Sequence, residues 1–246
     1  MDTSIQFNGK KALVTGAGKG LGRDLVKVLA KCGAEVCALS RTRADLDSLK
    51  EEVPGVRTVC VDISDWKATR KAVQEAGHFD LLINNAAVSF VLPFLEVTEE
   101  NLSMHLDVNL KAMFNISQVV AKSMIDKGTG GSIVNVSSVA SHCALLDHSV
   151  YCSIKAAVDM LTKCMCLELG KYKIRVNSVN PTVILTPMGQ RVWGDDPVKS
   201  KPLLDRIPTG RFAEIEDVTG VILFLLSDKA AMVNGHNMSV DGGFSI

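Results

Sequence analysis

The chain reads as an α/β protein built on one doubly wound parallel sheet with helices on both faces. Three observations predict it. Short β-branched runs alternate with helical periods along all 246 residues. Most of these runs are apolar nearly throughout, which suits strands buried on both faces of a parallel sheet. A glycine-rich junction then joins the first run to the first helix. In order, strands are expected at 11–15 (KALVT), 35–40 (EVCALS), 57–62 (RTVCVD), 81–84 (LLIN), 132–136 (SIVNV), 175–180 (RVNSVN) and 237–240. Leu21, Leu25, Val28, Leu29 and Cys32 recur on one face of the helix after the first strand. Ile215, Val218, Val221, Ile222, Leu225 and Leu226 do the same before the last strand.

Seven strands alternating with about six helices make βαβ units with right-handed crossovers, a Rossmann-type arrangement. No repeat, low-complexity tract or linker divides them, so residues 1–246 form a single domain. One segment breaks the alternation. Residues 186–211 hold Pro187, Pro197, Pro202, Pro208, Gly189, Gly194 and Gly210. That composition predicts a lid-like insertion, with Met188, Val192, Trp193, Leu203 and Leu204 closing over a ligand.

Charge narrows the function classes. Lys plus Arg count 27 and Asp plus Glu count 27, so bulk charge does not draw the chain to nucleic acid. The longest apolar run is 221–226, far short of the roughly 18 residues a membrane span needs. Residues 1–11 carry no apolar core of a secretory signal. Seven cysteines, an odd number without a C-x-x-C, suit core side chains in a reducing compartment. The histidines never pair at i, i+4, and no metal site is expected. The expectation is a cytoplasmic protein with a small-molecule partner, no nucleic acid and no membrane span.

The glycine junction is Gly16-Ala17-Gly18-Lys19-Gly20-Leu21-Gly22. Between a first strand and a first helix, such a turn lets a pyrophosphate approach the backbone and meet the helix N-terminus. In a dinucleotide site, the end of the second strand commonly carries an acid for the ribose 2′-hydroxyl. Here it reads Ser40-Arg41-Thr42. Arg41 is a fork donor suited to a phosphate, and Lys19 adds a second positive charge. Together they predict NADP(H) rather than NAD(H). Asp45 and Asp47, in the next helix, are expected to point elsewhere.

Tyr151-Cys152-Ser153-Ile154-Lys155 opens a helical stretch, so phenol and ammonium lie on one face. A free tyrosine, with a pKa near 10, exchanges protons poorly at neutral pH. A neighbouring cation is expected to bring it down. Tyr151 also follows the strand ending in Val136-Ser137-Ser138, at the carboxyl edge where such sheets bind ligands.

Taken together, Thr15-Gly16-x-x-x-Gly20-x-Gly22, Asn84-Asn85-Ala86-Ala87, Asn109, Ser138, Tyr151-x-x-x-Lys155 and the closing Asp241-Gly242-Gly243 resemble the short-chain dehydrogenase/reductase family over the whole chain. Ala87, usually glycine, and Pro181-Thr182, usually Pro-Gly, depart from the common pattern. Segments 40–49, 93–98, 148–163 and 179–190 resemble a carbonyl-reducing subgroup. The resemblance implies NADPH-dependent reduction of α-dicarbonyls and of ketoses such as L-xylulose. Within it, Tyr151 donates the proton, Lys155 holds the nicotinamide ribose, and Ser138, thirteen residues before Tyr151, bonds the substrate oxygen in preference to Ser137. Asn109 fixes a water leading from Lys155 to solvent. Asp62 contacts adenine, Asn85 the cofactor backbone, and Ile184 with Thr186 the carboxamide. His148 and Trp193 are candidate substrate contacts, with a helix cap and a core role as their alternatives. Val139, Leu145 and Leu146 are pocket candidates. The family also implies a homotetramer packed through helices at about 102–127 and 151–170, with Val119, Val120, Met124, Ile125, Met160, Leu161, Cys164, Met165 and Leu167 as surplus apolar surface. A 3-oxoacyl-thioester or steroid reductase, and a catalytically silent NADPH-binding scaffold, remain the alternatives.

Overall fold

The computed structural model describes residues 4–193 and 197–246. The side chains of Met188, Arg191, Val192, Pro197 and Lys199 lie outside the described residues, as do Gly194 and residues 195–196. The strands are β1 (Lys11–Thr15), β2 (Glu35–Ser40), β3 (Arg57–Cys60), β4 (Leu81–Asn84), β5 (Gly131–Val136), β6 (Ile174–Pro181) and β7 (Asn237–Val240). They form a seven-stranded sheet in the order β3-β2-β1-β4-β5-β6-β7, with every pair parallel. The direction of winding reverses between β1 and β4, where Ala12 pairs Leu81 and Val14 pairs Ile83.

Side-chain alternation sends apolar residues to both faces. On one face, Ala12 and Val14 of β1 with Val36 and Ala38 of β2 pack under α1 (Gly20–Lys31), α2 (Arg43–Glu52) and α9 (Ile215–Leu226). On the other, Leu13, Cys37, Leu39, Leu82 and Ile133 pack under α3 (Trp66–Ala76) and α5 (Ala112–Lys127), with Met165 and Leu169 of α6 (Ser149–Leu169) at the margin. Burying a leucine or valine from water contributes about 1.5–3 kcal/mol, and both faces are filled this way. The two helical faces anticipated around Leu21–Cys32 and Ile215–Leu226 are these core-facing stripes of α1 and α9.

Three expectations need correcting. The helix expected at 102–127 is broken into α4 (Glu99–Leu106), a π-helical turn at Asp107–Lys111, and α5. In segment 186–211 the described residues include two short helices rather than loop alone. They are α7 (Pro187–Trp193) and α8 (Pro197–Leu204), the latter with Pro202 inside it. The helices are short because prolines sit at their starts and within α8. Leu203 and Leu204 do pack inward, against Val139, Ile207, Phe212 and Phe244. Third, much of the supposed surplus apolar surface is core. Val119, Val120 and Met124 are buried and Ile125 is partly covered because α5 packs on the sheet beside α3, while Leu161 of α6 is buried against Met113 and Val158, with Met165 partly covered there. Met160, Cys164 and Leu167 of α6 are exposed, Leu167 at 84%, and Leu102, Met104 and Phe114 join them from α4 and α5.

Candidate active site

The carboxyl ends of the strands open onto a cleft of about 590 Å³. Every residue expected to bind cofactor or substrate borders it, from Gly16 to Trp193, except the pocket candidate Leu146. Asn109 stands just behind, bound through its amide to Val88 of the wall.

The turn after β1 is built for close approach. Gly16 has φ 66°, and a Cβ there would sit 2.7 Å from the Ala86 backbone. A Cβ on Gly22 would run into the Gly16 carbonyl and lie 2.5 Å from Asn85 Nδ2. α1 therefore starts directly against the turn. Its N-cap, Lys19, makes no side-chain capping bond, and its first turn holds no acid. The initial N–H groups have no capping side chain and no acid in their own first turn, so the residues present fit a pyrophosphate. Arg23, the residue after Gly22, braces the turn. Nη1 donates to the Gly18 carbonyl at 2.9 Å and the Asp45 carbonyl at 3.0 Å, while Nη2 donates to Glu52 at 2.7 Å. Lys27 pairs with the same Glu52 carboxylate, and the two cations hold it down at a pKa of about 2.

At the end of β2, Ser40, Arg41 and Thr42 form the rim. The Arg41 side chain is exposed and makes no hydrogen bond or ion pair among the described residues. Asp45 does not point elsewhere. It borders the cleft and pairs with Lys19 at 3.6 Å, because the first turn of α2 bends back over the glycine turn. Asp47 is exposed and does not border the cleft, as anticipated. Asp62, just past β3, accepts from the Ser64 N–H at 3.0 Å and the Ser64 hydroxyl at 2.8 Å. Those bonds, the backbone one first, and the Arg41 charge hold its carboxyl below the usual range. Asn85 is also a strut: Nδ2 donates to the Thr15 carbonyl at 2.9 Å and its N–H to Thr15 Oγ1 at 3.0 Å, closing the β1–β4 seam.

The reacting end lies where β5 and α6 meet the cleft. His148 is the N-cap of α6, and the Cys152 N–H donates to its carbonyl at 2.8 Å. Tyr151 and Lys155 follow on one face, the ammonium 5.4 Å from the phenol ring centre. Lys155 is 2% exposed and donates to the Val136 carbonyl at 2.7 Å. Burial draws its pKa down to about 8, against the opposing pull of Asp159. Burial likewise pushes the Tyr151 phenol up to about 12, and a hydrogen bond with Ser138 pulls it back only in part. The expected lowering by Lys155 is not among the influences on the phenol; burial dominates, and the Ser138 bond is what opposes it. At neutral pH the phenol keeps its proton and stands as a donor.

Ser137 and Ser138 are separated by what they bond. Ser137 is 3% exposed and its hydroxyl donates to the Lys155 carbonyl at 3.3 Å, a bond that ties β5 to α6. Ser138 Oγ accepts from the Ala140 N–H at 3.2 Å and bonds Tyr151. Asn109 sits in the π-helical turn. Its Oδ1 accepts from the Val88 N–H and its Nδ2 donates to the Val88 carbonyl, both at 2.8 Å. Beyond β6, Ile184 bridges Ala213, and Thr186 lies beside Gly20. Trp193 stacks on His148 with ring centres 5.5 Å apart and planes 5° apart, roofing the space in front of Tyr151. Val139 and Leu145 line that space, but Leu146 is 87% exposed and faces away. Leu203 and Phe244 also border the cleft. Phe244 carried only a faint signal, an aromatic just after Asp241-Gly242-Gly243.

The comparisons with known proteins extend over the same residues. A family model described as enoyl-(acyl carrier protein) reductase matches residues 16–245. An L-xylulose reductase from Bos taurus is 59% identical over 240 residues, 98% of each chain. A D-erythrulose reductase from Gallus gallus is 56% identical over the full length of both chains. Among solved structures, a gluconate 5-dehydrogenase from Burkholderia cenocepacia, in complex with NADP and tartrate, superposes with a TM-score of 0.92 at 32% identity. That match covers 98% of this chain and 97% of the other.

Proposed function

Since the chain belongs to the short-chain dehydrogenase/reductase family, we propose that its cleft carries out NADPH-dependent reduction of carbonyl groups on small ketoses and α-dicarbonyls. L-Xylulose and diacetyl are the representative substrates. The observation that carries this reading is the pairing of a protonated phenol with two polar neighbours at one end of the cleft, and a basic rim without a ribose-binding acid on β2 at the other.

NADPH supplies the hydride for the carbonyl carbon. The protein's residues do the rest. The first N–H groups of α1 hold the pyrophosphate, and Arg41 with Lys19 holds the 2′-phosphate. Asp62 meets the adenine and the Asn85 region the cofactor backbone, while Ile184 and Thr186 bracket the carboxamide. Lys155 holds the nicotinamide ribose. Ser138 donates to the substrate oxygen, and Tyr151 gives that oxygen its proton as negative charge develops there. Asn109 fixes a water behind Lys155. His148 and Trp193 bound a short polar substrate, and segment 186–211 serves as the lid over it.

The assembly we propose is a homotetramer. It is supported by the exposed apolar side chains Met104, Phe114, Met160 and Leu167 on α4, α5 and α6, and light scattering at micromolar concentration tests it. A cytoplasmic location is part of the same proposal, and the seven unpaired cysteines support it; imaging of the tagged protein in cells checks it. No helix of the described residues is long and apolar enough to cross a membrane.

The deciding experiment is NADPH oxidation with L-xylulose, diacetyl, a 3-oxoacyl thioester and a steroid ketone, using the unaltered protein and Tyr151→Phe. Turnover of the first two, abolished in Tyr151→Phe while NADPH still binds, supports the proposal. Turnover of the thioester or steroid alone would replace the substrate class, and no turnover of any would favour a silent NADPH-binding scaffold.

A further inference from the structure

We propose that Asp159 is a positioning residue that couples the lysine and serine sides of the site, acting on Ser138 through Asn180. The inference rests on the roles given above to Ser138, Tyr151 and Lys155. Asp159 lies four residues beyond Lys155 on α6, on the same helix face. Its Oδ2 accepts from Asn180 Nδ2 at 2.7 Å, and its Oδ1 lies 3.3 Å from Ser178 Oγ, whose single proton is shared with the shorter bond to Asn180 Oδ1. Asn180 is fully buried near the carboxyl end of β6. Its amide nitrogen also reaches Ser141 Oγ at 2.8 Å and the Ser138 carbonyl at 3.2 Å. Its Oδ1 accepts from Ser178 Oγ at 2.9 Å, and Ser178 is itself held by Asn237 Nδ2 at 2.7 Å.

An ionised carboxylate can only accept, so it fixes which end of the Asn180 amide faces it. With Asp159 in place the NH₂ group turns toward the short 3-10 turn Val139–Ser141, which Ser138 caps. Remove the charge and the strongest of the acceptors that orient this amide is lost, which loosens the donor held to the Ser138 carbonyl. The same carboxylate has a second effect. Lys155 is buried, which disfavours its ammonium. Around it stand the Tyr151 phenol on α6 and the Val136 carbonyl of β5, neither of them an anion. Asp159 supplies the negative charge that favours the ammonium. One side chain thus supports both the proton on Lys155 and the placement of Ser138.

Asp159→Asn keeps the shape and removes the charge. The basic limb of the kcat/KM profile for carbonyl reduction is expected to move to lower pH by about half a unit or more, because Lys155 then loses its proton sooner. Asp159→Glu restores the charge and is expected to return the limb toward its original position. Asn180→Ser keeps the charge but cuts the tie to Ser138. It is expected to lower kcat about tenfold or more with the limb in place, as misplacement of a reacting group does. Folding is checked by Tm and NADPH affinity. A folded Asp159→Asn whose limb has not moved overturns the proposal, as does Asn180→Ser at full kcat. If Asp159→Asn does not fold, Asn180→Ser decides alone. Tyr151→Phe is measured alongside: retained turnover there would refute the reading of the site itself, whereas its loss with an unmoved Asp159→Asn limb refutes only the role of Asp159.

Discussion

Replacing Arg41 by Ala tests the basis of cofactor choice at one atom group. In the structure the guanidinium sits at the cleft rim with no partner among the described residues, so none of its hydrogen-bonding capacity is committed inside the protein. A hydrogen bond to a charged group contributes about 1.5–3 kcal/mol. Arg41 is exposed, which argues for the lower part of that range, about 1.5–2 kcal/mol. At 1.4 kcal/mol per tenfold, that is roughly a 10- to 30-fold rise in the Kd for NADPH. NADH carries no 2′-phosphate, so its Kd is expected to stay within about twofold of the original, since distant surface changes seldom cost more than ~0.5 kcal/mol. Arg41→Asp adds repulsion and is expected to widen the effect until NADH is the better ligand. Lys19 contributes less per charge, because its ammonium is shared with Asp45 and largely exposed. Fluorescence titration of each variant with both cofactors, at low and high salt, measures this directly, and the Arg41 contribution is expected to shrink as salt rises. An Arg41→Ala protein whose Kd for NADPH is unchanged, or whose Kd for NADH rises in step, would refute the reasoning.

Three further outcomes follow from the site. Reduction is expected to hold steady to about pH 7 and then fall above the Lys155 value of about 8, because the ammonium exists only below its pKa. Lys155→Arg stays charged past pH ~12, so its lower activity is expected to persist to higher pH, and a common limb near pH 8 would count against Lys155 as the titrating group. Gly22→Ala drives a Cβ into the Gly16 carbonyl and Asn85; overpacking of this kind costs about 1–3 kcal/mol, read as a lower Tm and weaker NADPH binding, and a Tm equal to that of the unaltered protein would contradict the tight turn. Trp193→Ala removes the ring stacked on His148 and is expected to raise KM for small dicarbonyls more than it weakens NADPH. Hydrogen exchange in α7 and α8 that ignores NADPH with a substrate analogue would remove the basis for a lid.

The strands were legible because their pattern is local and strong. KALVT, EVCALS and LLIN are short β-branched or leucine-rich runs, and each forms a strand at the expected residues. The glycine turn and the Tyr151–Lys155 pair were legible for the same reason, since each is set by spacing within one element. What depends on two elements meeting was not. Asp45 enters the cleft because α2 leans over the glycine turn, held by Arg23, and nothing within α2 encodes that lean. Val119, Val120 and Met124 looked like surplus apolar surface when read as one helix, yet α3 and the sheet cover them. The phenol's high pKa is likewise a product of burial, which residue spacing does not report.

The reversal of winding at β1 also bears on how the chain is made. β1, β2 and β3 are paired with one another by residue 60, but the other edge of β1 has no partner until Leu81–Asn84 arrives. Through that interval Ala12, Leu13 and Val14 offer an apolar strand edge of the kind that templates aggregation. Closing it requires contact between residues almost seventy positions apart, as in the pairing of Ala12 with Leu81, the sort of long-range event that slows folding. The cofactor cleft opens at this same seam, where Asn85 bonds Thr15. Ligand binding can therefore stabilise the finished sheet by mass action, but it comes too late to protect the half-built one.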